Sequence, residues 1–207
     1  MKFKLAKSIR YLIGVDEAGR GPLAGPVAVG VACCKLADLP VLRRLWRGVR
    51  DTKQLTPRGR ETWFKRLKDF RRQKLLDFKV SLVGEAIIDE RGISRAVRIG
   101  IKRCLRRLAV KPRQVLVLLD GSLRAPRAYQ YQKTIIRGDE TEPIISLASI
   151  VTKVTRDRRL IRLHERYPNY AFDIHKGYGT ALHYQRLRQH GLSPIHRRSF
   201  LKKILGK

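Results

Sequence analysis

The sequence is short of acid. Its 207 residues carry 17 Asp and Glu against 47 Lys and Arg, a formal net charge of +30. That imbalance points to a polyanionic partner, because phosphates gain counterion-release free energy on contact with such a surface. Nucleic acid is the first candidate and an anionic membrane surface the second; ribosome-associated proteins share the same charge. No apolar run reaches 18 residues, which excludes a transmembrane helix. The basic N-terminus has no apolar signal core before Asp16. Cysteine is scarce: Cys33, Cys34 and Cys104 are an odd number without metal-ligand spacing, as expected of reduced thiols in a cytoplasmic protein. Cys33 and Cys34 are neighbours on an expected strand and should face opposite sides of it.

What is present is enough to fold. The hydrophobic fraction of 43% excludes a disordered basic tail. The length suits one domain over residues 1–207, with a core at about 10–165 and a small helical C-terminal extension over about 166–207. No repeat, low-complexity segment or linker is visible. Apolar runs over residues 9–16 and 26–35 predict two strands, and the glycine–proline turn between them predicts an antiparallel hairpin. Further strands are expected over 77–84 and 114–120, and a short apolar run over 134–139. Helices are expected over 39–49, from Thr56-Pro57 to about residue 74, along the stripe from Ile93 to Leu108, and over 143–163. A last one is capped by Thr180 and stopped by Gly191. This mixture predicts an α/β fold with a mixed β-sheet flanked by helices.

The few acids are placed unevenly. Asp16, Asp120 and Asp139 each follow a strand-like run, and Glu17 adjoins the first. If those strands neighbour one another, the four carboxylates crowd together and need cations to remain ionised. Oxygen-only donors favour Mg²⁺ or Mn²⁺, and two such ions about 3.5–4 Å apart suit phosphodiester hydrolysis. An acid at a strand end is also ordinary turn chemistry. Gly19-Arg20-Gly21 is either a tight turn or a place where a sugar-phosphate backbone comes close; it is not a dinucleotide-binding fingerprint. Lys53 and Lys153 are solvated cations or phosphate contacts, and Ser149 either joins them or caps locally. Tyr178 taken alone suits a half-buried core position. His175 and His183 are expected to pack or to bind phosphate rather than metal.

Asp16-Glu-Ala-Gly-Arg-Gly-Pro-Leu-Ala-Gly-Pro-Val27 closely resembles the signature of the type 2 ribonucleases H. So do Asp51-Thr-Lys-Gln-Leu55, Leu119-Asp-Gly121, Gly138-Asp139 and Ala148-Ser-Ile-Val-Thr-Lys-Val-Thr-Arg-Asp157. The late segments His175-Lys-Gly-Tyr-Gly-Thr180 and His196-Arg-Arg-Ser-Phe200 also match, in family order, so the resemblance spans about residues 10–200. It implies a ribonuclease H-like fold and metal-dependent endonucleolytic cleavage of RNA in RNA–DNA hybrids. It also implies nicking 5′ of single ribonucleotides in duplex DNA, leaving a 3′-hydroxyl and a 5′-phosphate, as ribonucleotide excision repair requires. Asp16, Glu17, Asp120 and Asp139 are then the metal-binding catalytic acids, holding two Mn²⁺ or Mg²⁺ ions. Gly19, Arg20 and Gly21 approach the ribose 2′-hydroxyl, the group that separates RNA from DNA locally. Tyr178 stacks on the following deoxyribose, and Lys53, Ser149 and Lys153 complete the substrate contacts. The sequence departs from the family habit at Thr52, where serine is usual, and at Leu147 and Thr152, where small residues are usual. The expected partners are hybrid and ribonucleotide-containing duplexes, with no membrane and no protein partner implied, and the chain is expected to be monomeric. The rival readings are a type 3 ribonuclease H, disfavoured because only about ten residues precede the first strand, and a non-catalytic RNA- or ribosome-binding protein.

Overall fold

The structure, a computed structural model, describes residue 6, residues 8–45 and residues 55–202. The elements follow the hydrophobic pattern. Strands β1 (Tyr11–Ala18) and β2 (Val27–Lys35) are followed by helices α1 (Leu39–Leu45) and α2 (Pro57–Arg72), then β3 (Asp77–Val83). Next come α3 (Glu85–Arg91), α4 (Ile93–Arg106), β4 (Val115–Asp120), β5 (Gln132–Ile135) and α5 (Gly138–Thr141). Helices α6 (Pro143–Arg166), α7 (Phe172–His175) and α8 (Ala181–His190) complete the described chain. None of the described helices is long and apolar enough to cross a membrane.

The five strands form one mixed sheet in the order β3-β2-β1-β4-β5. β1 pairs antiparallel with β2 as the expected hairpin, Ala18 opposite Ala28, and parallel with β4, Val15 beside Leu119. Residues alternate between the two faces. Leu12, Cys34, Leu116 and Leu118 meet Trp63, Phe64 and Leu67 of α2 and Ile144, Ile145, Ala148 and Val151 of α6. Ile13, Val15, Val29, Cys33, Val117 and Leu119 meet Val97, Ile101 and Leu105 of α4 on the other face. Cys33 and Cys34 thus face opposite sides, as their adjacency demands.

Helix α6 lies unusually close to the sheet because two strand positions lack side chains. A Cβ on Gly14 would collide with the Ile144 carbonyl, and one on Gly30 with the Thr152 hydroxyl. Thr152, fully buried, satisfies that hydroxyl by donating to the Ala148 carbonyl at 2.6 Å. The less usual threonine there therefore leaves the helix regular.

Local capping chemistry sets several boundaries. The Thr56 hydroxyl accepts from the Gly59 amide at 3.1 Å ahead of Pro57, and the Thr180 hydroxyl accepts from the His183 amide at 3.2 Å. Gly191, at φ +69°, ends α8.

Some expectations need correction. α3 falls between the strand expected over 77–84 and the helical stripe from Ile93, where no element is expected. β1 runs two residues beyond Asp16, so the acid pair lies within the strand. β5 ends at Ile135, and Asp139 stands in the first turn of α5 rather than at a strand end. α6 continues to Arg166. The helix expected over 39–49 is described only to Leu45, and Lys53 with its motif up to Gln54 lies outside the described residues.

A third apolar cluster joins the C-terminal elements to the loop after β1. Leu23 and Ala24 pack with Leu160, Phe172, Leu187 and Ile195. Backbone bonds reinforce it: the Leu23 amide donates to the Gly177 carbonyl at 2.8 Å, and the Arg197 amide to the Leu23 carbonyl at 2.8 Å.

Candidate active site

Parallel pairing brings the first acids together. Val15 is registered with Leu119, so Asp16 and Asp120 follow side by side at the C-terminal ends of adjacent strands. Alternation turns both towards α6, with Glu17 starting on the opposite face. Asp120 recruits the fourth acid through the backbone: its Oδ1 accepts from the Gly138 amide at 2.7 Å and from the Asp139 amide at 3.3 Å. The carboxylate thereby satisfies the free amides at the start of α5. The Ser146 hydroxyl donates to the Asp139 carbonyl and fixes that turn against α6.

The acids are costly to keep charged. Asp16 is only 6% exposed, and burial pushes its carboxyl well above the usual range. A hydrogen bond with Ser149 opposes the rise, while the nearby Glu17 and Asp120 charges add to it. Burial also raises Glu17, against the pull of Arg20, whose guanidinium lies 3.4 Å from Oε1. The other oxygen, Glu17 Oε2, is buried and has no hydrogen-bond partner among the described residues. An orphaned carboxylate oxygen beside a buried, repelled carboxyl fits a site built for cations. The donors are all oxygen, as magnesium and manganese prefer. No group of three or more His, Cys, Asp or Glu among the described residues is drawn together closely enough to hold a metal ion as it stands. The acids instead line an open cleft of about 480 Å³.

Gly19, Arg20, Gly21, Ser149, Lys153 and Tyr178 line that same cleft, so every candidate within the described residues gathers at one place. Lys153 pairs with Asp157 at 2.9 Å, and its ammonium lies 5.8 Å from the centre of the Tyr178 ring. Tyr178 is 41% exposed, a wall of the cleft rather than a core residue. Arg60 lines the cleft too and had no distinguishing signal in the sequence.

Two arginines from distant segments hold the glycine-rich turn. Arg156 of α6 and Arg197 are both fully buried. Arg197 donates to the carbonyls of Gly25 at 2.9 Å, Arg20 at 2.9 Å and Gly19 at 2.7 Å. Arg156 donates to the carbonyls of Pro26 at 3.1 Å and Lys176 at 3.1 Å. Gly19 has φ +90°, and any Cβ there would strike the Arg156 guanidinium. The glycine is thus required by both backbone and space. Burial and the neighbouring Arg156 push the Arg197 pKa down to about 9, so it stays cationic at neutral pH. These arginines escaped sequence reading, because in a chain this basic nothing distinguishes a buried arginine from a surface one.

The histidines form a separate, buried group. His183 Nε2 lies 3.0 Å from His196 Nε2, and the His175 and His183 rings stack 4.2 Å apart beside Phe172. Burial pushes His183 and His196 down to about 4, leaving neutral packing groups. His183 Nδ1 meets the Tyr178 carbonyl at 2.9 Å and so supports the backbone beneath that ring.

A family model described as Ribonuclease HII matches residues 13–203. The chain is 40% identical over 202 residues to Ribonuclease HII of Caldicellulosiruptor bescii, covering 98% of this chain and 92% of that one. It is 41% identical over 197 residues to Ribonuclease HII of a Janthinobacterium species, covering 94% and 88%. Among solved structures, ribonuclease H2 of Pyrococcus horikoshii superposes with a TM-score of 0.71 at 30% identity, covering 94% of this chain and 96% of that one.

Proposed function

The chain belongs to the ribonuclease HII family and is a ribonuclease H, and on that premise we propose that it nicks duplex DNA 5′ of single embedded ribonucleotides as well as cutting RNA–DNA hybrids. Family membership sets aside a non-catalytic RNA- or ribosome-binding role. The observation that carries the proposal is the sharing of one cleft by four acids, the Gly19-Arg20-Gly21 turn and Tyr178.

Asp16, Glu17, Asp120 and Asp139 would hold two divalent cations, Mg²⁺ or Mn²⁺. When bound, such ions supply an activated water and stabilise the charge that develops on the departing 3′-oxygen. The protein's own contribution is placement. Ser149 orients Asp16, and Asp120 sets the start of α5 and with it Asp139. Arg197 and Arg156 anchor carbonyls around the glycine-rich turn, which leaves its exposed edge to meet the ribose 2′-hydroxyl. Arg20 and Lys153 offer positive charge to the flanking phosphates, and Tyr178 presents a ring face to the next sugar. Phosphate contacts of this kind position a duplex without reading its sequence.

The test is a DNA duplex carrying one ribonucleotide, incubated with Mg²⁺ or Mn²⁺ or with a chelator, followed by mapping of the cut ends. A metal-dependent nick leaving a 5′-phosphate on the ribonucleotide is expected. Cleavage of continuous hybrid with no cut at the single ribonucleotide would falsify the proposal. Asp16→Asn is expected to abolish cleavage while duplex binding persists; near-normal turnover would remove Asp16 from the chemistry.

A further inference from the structure

A cavity larger than the catalytic cleft adjoins it. It is a groove of about 940 Å³ between α4 and the segment joining β4 to β5. Five cationic side chains line it, Arg20, Arg98, Lys102, Arg124 and Arg127, and no acid does. The catalytic cleft beside it is lined by four acids. Arg20 belongs to both, so the two cavities adjoin through that one side chain. Arg98, Lys102, Arg124 and Arg127 are exposed, and none of their side chains makes an ion pair or hydrogen bond with another described residue. Four uncompensated cations in one groove repel one another until an anion arrives.

The segment carrying two of them is fixed in advance. Leu123, Ala125 and Tyr129 are buried in the sheet's core, while Arg124 and Arg127 between them point outward. The Gln132 side chain clamps the loop from within: its Oε1 accepts from the Ala125 amide at 2.8 Å, and its Nε2 donates to the Tyr129 carbonyl at 2.9 Å. Thr134 Oγ1 adds a bond to the Leu123 carbonyl at 3.2 Å. A loop already ordered loses little backbone freedom when its arginines engage a ligand.

We propose that this groove is a second nucleic-acid site, which takes the sugar-phosphate backbone of one flank of the duplex as it leaves the cleft past Arg20. The inference rests on the nuclease reading of the cleft and extends it to the substrate's length. Arginine suits the task, since its planar fork matches phosphate oxygens in pairs. Binding energy gathered there, away from the reacting phosphate, would hold the duplex in register for the turn to sample the 2′-hydroxyl. The enzyme should accordingly favour substrates long enough to reach the groove.

The experiment compares the unaltered chain, Arg124→Glu/Arg127→Glu and a control, Arg103→Glu/Arg106→Glu, which makes the same charge change on α4 outside the groove lining. Fluorescence anisotropy with a chelator present measures affinity for a short duplex centred on one ribonucleotide. A second duplex is extended on each side by about ten base pairs, one helical turn. The groove variant is expected to lose about tenfold or more in affinity for the long duplex, with a much smaller loss on the short one. Its plot of log affinity against log salt should be shallower by about two, the slope of two phosphate contacts. The control should lose little at either length. Equal losses from both variants would show a diffuse charge effect and overturn the proposal, as would a loss independent of duplex length. An undiminished affinity for the long duplex, with binding of an acidic protein lost instead, would assign the groove to another partner. Binding is read without turnover, so failure of the unaltered chain to cut would count against the proposed function and leave this comparison intact.

Discussion

At the scale of single residues, Asp16 shows what a buried acid costs. Burial raises the folded-state pKa of Asp16 and Glu17 above their unfolded values. The folded chain then keeps protons that the unfolded chain releases, so stability falls as pH rises from the ordinary carboxylate range through the raised values. Below the unfolded pKa both states are protonated and the cost vanishes. Asp16→Asn is therefore expected to melt higher than the unaltered chain in chelator near neutral pH, with the gap closing in acid. Thermal melts across a pH series check this; an advantage that persists in acid would trace to packing. Added Mg²⁺ or Mn²⁺ should raise the melting temperature of the unaltered chain and do far less for the variant. Arg197 makes a complementary case. Arg197→Lys keeps the charge but loses the fork that reaches three carbonyls, so cleavage at a single ribonucleotide should fall about tenfold or more. Cleavage of continuous hybrid should fall less, and parallel assays on the two substrates decide between positioning and general damage. The acids were legible in the sequence because Asp and Glu number only 17 in this chain, and the turn because its glycines and prolines crowd between two apolar runs. Arg156 and Arg197 were not, because their burial depends on contacts more than a hundred residues away.

At the scale of elements, the junction of α6 with the sheet is the tightest fit. Gly30→Ala places a methyl on the Thr152 hydroxyl, and Gly14→Ala places one on the backbone of Ile144. Each is expected to destabilise the chain by about 1–3 kcal/mol or more, measured by denaturant unfolding. The two should differ in rescue: Thr152→Ala removes the severest contact at Gly30 and should recover part of the loss, whereas no side-chain truncation frees Gly14 from backbone atoms. Equal response of both to Thr152→Ala would remove the steric account. Strands and long helices followed from apolar periodicity, and the caps at Thr56 and Thr180 stood where the sequence placed them. The short elements did not follow. α3 is a single short amphipathic segment between Gly84 and Gly92, too brief for its period to stand out. α5 starts at Gly138 because Asp120, from another strand, caps it, and no local pattern carries that information.

At the scale of the whole molecule, all three thiols are buried on a chain whose surface is cationic. Burial pushes Cys33, Cys34 and Cys104 up to about 12, which leaves almost no thiolate at neutral pH. A thiol reagent should label the native chain slowly and all three sites once it is unfolded; rapid native labelling would place a cysteine at the surface. The order of the chain carries a different consequence. The acids of β1 and the turn that follows are synthesised well before the side chain that holds the turn. The guanidinium that grips the carbonyls of Gly19 and Arg20 arrives 178 and 177 positions later. A nascent chain that has not yet reached Arg197 lacks the three side-chain bonds to the carbonyls of Gly19, Arg20 and Gly25. If the turn reads the ribose 2′-hydroxyl as proposed, that reading is withheld from the chain until Arg197 is in place.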